Sequence, residues 1–202
     1  MDLMKRTLTL FFIFLLTTSF KQADYADVQL TWYWRVDHDR LPPTDTMYEV
    51  RNREGEVIGV AGEERLKRIW MEGSGFLADG TLINLVDVFE FHNSTYMVVD
   101  QDRFPWGLDS LGNALTPLKT IAVDPDVIPL GSKVYIPEFD QNPNVPQLVS
   151  HDGCFVASDT GHDFTGKRID VFSGTHDEYK SIETILQTWN RKVRIYFNHP
   201  KC

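Results

Sequence analysis

Apolar and polar positions alternate over much of this chain, and the alternating stretches are short. Val28 to Val36 reads Val-Gln-Leu-Thr-Trp-Tyr-Trp-Arg-Val. Aromatic and β-branched residues dominate it, so a strand is expected. Met47 to Val60 has the pattern of a hairpin, with Glu54-Gly55 at its tip. From Gly62 to Met71 the spacing changes, and Leu66, Ile69 and Trp70 fall on one side of a short helix. Strands are predicted again over Leu82–Phe91 and Thr95–Val99. A Gly/Pro/Asp-rich loop follows between Asp100 and Thr116 and contains Phe104-Pro105-Trp106-Gly107. Strand patterns return at Thr120–Val123, Lys133–Ile136, Cys154–Ser158, Ile169–Phe172 and Val193–Phe197, while Asp177–Trp189 has helical spacing through Tyr179, Ile182, Ile185 and Leu186. Many short strands separated by turn signals predict a mainly β fold, a closed or nearly closed barrel with a few short helices.

A weak internal repeat supports a barrel of two related halves. Ser74-Gly75, Gly80 and Ile83-Asn84 have the same spacing as Thr160-Gly161, Gly166 and Ile169-Asp170. Each copy is a glycine-bounded loop feeding a strand.

The N-terminus departs from this pattern. Lys5 and Arg6 precede an almost unbroken apolar run, Leu8 to Leu16, and polar and small residues follow to Ala26. These are the three parts of an export signal. The run is too short to span a bilayer comfortably. Residues 1–26 are therefore read as a signal peptide, cut after Ala26 or Ala23, and residues 27–202 as one domain. An uncleaved anchor is the alternative. No cysteine lies near the junction, so a lipoprotein is not expected, nor is a stable membrane anchor after the signal is removed. The expected location is the periplasm or cell envelope, or secretion beyond it.

Charge narrows the choice of ligand. The net charge is −9, which gives no general attraction to nucleic acid and is compatible with a neutral sugar polymer. The cysteines, Cys154 and Cys202, could pair in an oxidising compartment and tie down the C-terminus, or remain free thiols. His151, His162 and His176 have no short ligand spacing, so no metal site is expected.

The densest chemical signal runs from Pro117 to Phe172. Asp159 ends an apolar strand at a glycine turn. Asp170 lies between Ile169 and Val171, and alternation puts it on the face opposite to both. An aspartate within an apolar strand is costly to bury unless it is paired or neutral, which makes Asp170 a candidate for a perturbed acid. A structural aspartate bonded to loop N–H groups is the plainer reading. Asp124 precedes Pro125 and can equally shape the turn there.

Ala122-Val123-Asp124-Pro125, Ile128-Pro129-Leu130-Gly131, Asp159-Thr160-Gly161 and Ile169-Asp170-Val171-Phe172 occur in an order that strongly resembles the 3D (three-aspartate) domain. That domain occurs in the membrane-bound lytic transglycosylase A family and in related wall-remodelling proteins of spore-forming bacteria. Glu72-Gly73-Ser74-Gly75 with Asp79-Gly80 resembles the family's Gly-Ser-Gly segment. The resemblance is strongest over 117–197. It implies a six-stranded double-psi β-barrel. Only about 30 residues separate Gly80 from Gly112, too few for the inserted domain of larger members, so a bare barrel is expected.

The resemblance also implies a function: cleavage of the MurNAc–GlcNAc β-1,4 bond of peptidoglycan with formation of 1,6-anhydro-MurNAc, in cell-wall remodelling, without cofactor. Glycan strands are the implied partner, and a monomer is expected. Asp170 takes the place of the catalytic acid and Asp159 that of its supporting carboxylate. Asp124, Thr160, Gly161 and Trp106 are the expected substrate contacts. Trp32 and Trp34, on one face of their strand, are aromatic candidates for stacking or simply core. The chain departs from the family at His162, Asp163, Phe164 and Thr165, where loop length is kept and chemistry is not. A non-catalytic, expansin-like wall-binding module is the competing reading, favoured by that loop and opposed by Asp159 and Asp170.

Overall fold

The computed structural model describes residues 25–37 and 46–202. The segment read as an export signal, before Tyr25, and the polar stretch with Pro42 and Pro43, where the sequence predicts a turn, lie outside the described residues. The strands are β1 (Tyr25–Tyr33), β2 (Met47–Arg51), β3 (Val57–Gly62), β4 (Ser74–Phe76), β5 (Leu82–Asp87), β6 (Thr95–Val98), β7 (Thr120–Val123), β8 (Lys133–Asp140), β9 (Asp152–Asp159), β10 (Arg168–Phe172) and β11 (Lys192–Phe197). The helices are α1 (Glu63–Glu72) and α2 (His176–Leu186).

Six strands close into a barrel in the order β1-β10-β7-β9-β8-β11. The pairs β1–β10 and β7–β9 are parallel, and the others are antiparallel. The period-2 pattern accounts for the core. Ile169 and Val171 of β10 point inward and are buried with Leu30, Ile121, Val134, Phe155 and Ile195. Each such aliphatic side chain contributes roughly 1.5–3 kcal/mol by leaving water. Asp170, between two inward residues, faces out through the barrel wall. The mainly β fold with a closed six-stranded barrel is thus the one the sequence predicts.

The barrel is not bare. Residues 47–98 build a second sheet of order β3-β2-β6-β5-β4. α1 covers it, and Val50, Leu66, Ile69, Leu77, Ile83 and Tyr96 form a separate apolar cluster. Only β5 and β6 come from the stretch between Gly80 and Gly112, whereas β2, β3, α1 and β4 precede it, so the second sheet does not depend on the length of that stretch. The repeat is corrected by the same observation. Its second copy feeds barrel strand β10, but its first feeds β5, which belongs to the other sheet.

The two sheets meet where β1 runs on past Tyr33. Val36 forms a parallel bridge to Gly75 of β4. A side chain at Gly75 would collide with Val36 and Ile69, so glycine is needed there for close approach rather than for its dihedral freedom. Gly73 is different. It caps α1 in the left-handed conformation, φ 86°, and turns the chain from helix into β4.

Trp32 is buried in the barrel cluster beside Phe139, and Trp34 stacks on Tyr179 of α2 with ring centroids 5.1 Å apart. Both tryptophans are packing residues. Thr175 begins α2 with a reciprocal capping box to Glu178. Cys154 of β9 is disulfide-bonded to Cys202, so the C-terminus is tied to the barrel wall.

Candidate active site

A cavity of about 290 Å³ lies between the outer face of the barrel and the second sheet. Asp170 of β10, Ala122 of β7, Tyr33 of β1 and Asp159 of β9 line the barrel side, while Trp70 and Glu72 of α1 with Asn84 of β5 face them. Strand pairing makes this arrangement. Asp170 lies opposite Thr31 on β1 and Ala122 on β7, and Ala122 lies opposite Asp159 on β9. Alanine at the centre leaves room between the two aspartates.

The two carboxyl groups are held differently. Asp159 Oδ2 accepts the Tyr33 hydroxyl at 2.7 Å. Its Oδ1 accepts from the Ser110 N–H, the Ser110 hydroxyl and the Thr160 N–H. Burial raises the Asp159 carboxyl above its ordinary range, and the bonds from Tyr33, Ser110 and Thr160 oppose that rise. Tyr33 in turn is pushed well above its usual value by burial and by the Asp159 charge, so it remains a donor. Asp170 has no such cradle. Its Oδ1 is buried and without a hydrogen-bond partner. Burial pushes its carboxyl up to about 7, the Thr31 hydroxyl and Arg168 guanidinium pull it down, and Asp159 adds a further upward push. A carboxyl poised near neutrality can give up a proton and take it back.

Thr160 and Gly161 line the cavity, as the sequence suggests. Asp124 and Trp106 do not. The Asp124 carboxylate accepts the N–H groups of Asp126 and Gly166, which shapes its own turn and anchors the loop before β10. Trp106 packs edge-on to Phe172 and lies under the Arg35 guanidinium, whose other side covers Phe76. Its ring thereby joins the two sheets and lies outside the lining of this cavity.

Sequence reasoning missed Tyr33, Trp70, Glu72 and Ser110. Trp70 reads as part of the apolar side of α1, but Leu66 and Ile69 take that side and Trp70 turns to the cavity. His162 sits against it, ring centroids 4.0 Å apart. The altered loop therefore closes on an aromatic side chain at one end of the cavity. The pairing of Tyr33 and Ser110 with Asp159 spans distant parts of the chain and leaves no local signal.

Residues 119–193 match the family model of the 3D domain. The chain carries a 3D domain. Asp124, Asp159 and Asp170 all fall within it, whereas Glu72 and Trp70 lie outside. No curated protein matches the chain by sequence. Among solved structures, the fold is similar to that of Escherichia coli MltA with bound chitohexaose, with a TM-score of 0.53 and 12% identity over 85% of this chain and 71% of that one. The membrane-bound lytic murein transglycosylase of Agrobacterium tumefaciens aligns with a TM-score of 0.48 and 13% identity, covering 86% and 73% of the two chains. At 12% identity the likeness to Escherichia coli MltA is one of fold, and residues 119–193 lie in a barrel of that kind.

Proposed function

We propose that the protein is an exported peptidoglycan lytic transglycosylase, acting as a monomer on glycan strands in the cell envelope. One observation carries the reading. Asp170, a buried carboxyl with an unpartnered oxygen, stands on the wall of a cavity large enough for a sugar ring and titrates near neutral pH. The 3D domain and the MltA-like fold support it.

The reaction needs one proton that leaves and returns. Asp170 donates its proton to the glycosidic oxygen between MurNAc and GlcNAc as the bond from that oxygen to C1 breaks. GlcNAc departs with a free 4-hydroxyl. The positive charge that develops on C1 and the ring oxygen is met by the Asp170 carboxylate. The C6 hydroxyl of the same MurNAc then attacks C1, and its proton passes to Asp170. The 1,6-anhydro ring closes, the acid is restored and no water is consumed. Ordinary glycosidases divide these roles between two carboxyl groups. Here Asp159 is a supporting carboxylate, too fully bonded to move a proton itself, that raises the affinity of Asp170 for its own.

Digestion of purified peptidoglycan by the mature protein, followed by mass analysis, tests this. The expected products are 1,6-anhydro muropeptides without incorporation of label from ¹⁸O-water. Hydrolytic products carrying the label would overturn the lyase reading, and no products at all would overturn the enzymatic one.

A further inference from the structure

Four carboxyl groups line the cavity, from Glu72, Asp109, Asp159 and Asp170. Two are committed to the protein. Asp159 accepts on both oxygens as described, and Asp109 accepts the N–H groups of Leu111 and Asn113, which fixes its loop. Asp170 carries the proposed chemistry. Glu72 remains, a buried carboxyl outside the 3D match that the mechanism does not use.

Its position is built. Glu72 is the last residue of α1, only 7% exposed, and the left-handed Gly73 after it fixes the chain direction. One carboxylate oxygen receives a long bond from the Trp34 N–H, 3.3 Å, and the other a long one from Arg68, 3.4 Å. The charged and titratable groups that face it are Arg68 on its own helix, Asp170 on β10 and Tyr179 on α2. Arg68 is the one cation among them and is itself substantially exposed. The C-terminal end of a helix further disfavours an anion. Burial, and then the Asp170 charge, push the Glu72 carboxyl up to about 8.

We propose that Glu72 works as an uncharged carboxylic acid whose O–H is donated to a carbonyl or hydroxyl oxygen of the N-acetylated sugar seated against Asp170. It is thus a substrate-positioning residue, not the acid that cleaves. For its ligand this inference rests on the glycan reading above, but for the protonation of Glu72 it does not. A protonated carboxyl can donate where a carboxylate can only accept. A second anion beside Asp170 would repel the sugar's oxygen atoms and strip the site of this donor.

Two measurements separate the parts. The first is thermal unfolding without glycan, from pH 5 to 10. Wild type is expected to lose stability as pH rises from 5 to about 8 and to level off above that, and Glu72→Gln is expected to lose less across the same interval. Equal slopes in the two proteins would overturn the uncharged state of Glu72. The second is titration of chitohexaose into Asp170→Asn protein, which binds without turnover. Affinity is expected to fall about tenfold from acid to alkaline pH, as one donor bond is lost. The midpoint should lie below that of the wild-type group, because the Asp170 charge is gone. Adding Glu72→Gln keeps a donor and should remove the pH dependence, while adding Glu72→Ala should weaken binding at every pH. A double variant with Glu72→Gln that keeps the pH dependence would overturn the donor role. Absence of binding in every variant would overturn that role together with the glycan reading, while the unfolding measurement would still decide the protonation.

Discussion

At the scale of single residues, the site is a contrast between one carboxyl that is saturated with donors and one that is not. Asp170→Asn keeps the shape of the side chain but cannot donate an acidic proton. Release of anhydro products is expected to fall by about 10²–10⁴-fold or more, since one group serves both steps, with circular dichroism unchanged. Asp159→Asn has a different expected signature. Its amide would meet the Tyr33, Ser110 and Thr160 donors with too few acceptor positions, and a loss of about 1–3 kcal/mol in unfolding free energy is expected by urea titration. Trp70→Ala removes the ring that His162 packs against at the end of the cavity. If a sugar stacks there, affinity for chitohexaose drops by about 1 kcal/mol or more, readable by calorimetry, and Trp106→Ala leaves affinity nearly unchanged. Part of this was legible from sequence. Alternation alone put Asp170 on the face opposite Ile169 and Val171, where the structure has it. Glu72 was not legible as a site residue, because a glutamate near the end of an amphipathic helix looks like any solvated surface charge.

At the scale of elements, the sequence predicts β7 and β10 almost to the residue because both are short runs of apolar and β-branched residues bounded by turns. The strands of the second sheet were mostly recognised as strands but placed in the wrong layer. Period-2 alternation reports that one face is buried without saying against what. β4 escaped notice, since Ser74-Gly75-Phe76 is three residues with glycine at its centre. β1 adds a constraint on processing. Tyr25 and Ala26 pair with Tyr196 and Ile195 of β11, so a cut after Ala26 would remove two paired residues and a cut after Ala23 would leave the strand whole. On the proposed export, intact-mass measurement of the mature protein is expected to give a chain beginning at Asp24. The Cys154–Cys202 bond closes a loop of sequence separation 48. In the chain-entropy description it contributes up to about 4 kcal/mol, so Cys154→Ser is expected to lower the midpoint of thermal unfolding.

At the scale of the molecule, the buried carboxyls make stability depend on pH in a particular direction. Glu72 and Asp170 bind protons more tightly folded than unfolded, at about 8 and about 7. The contribution of these two groups to stability is therefore fullest while both states are protonated, at low pH. It falls as pH rises from the unfolded carboxyl range, and the loss is complete above the folded values. For Glu72 alone the cost of ionisation is on the order of 5 kcal/mol. Unfolding midpoints should decline from pH 5 to 9 and decline less when both residues are replaced by their amides. The position of the cavity has a consequence of another kind. The acid belongs to the segment that matches the 3D domain, and the opposite wall belongs to residues 63–98, which do not. On the proposed function, the cutting chemistry and the choice of glycan would thus be carried by separate stretches of the chain. On the same proposal, substitutions in residues 63–98 are expected to change which glycan binds while the surroundings of Asp170 stay fixed, and exchanging that segment for its counterpart in another protein of this fold is the direct way to see a new preference.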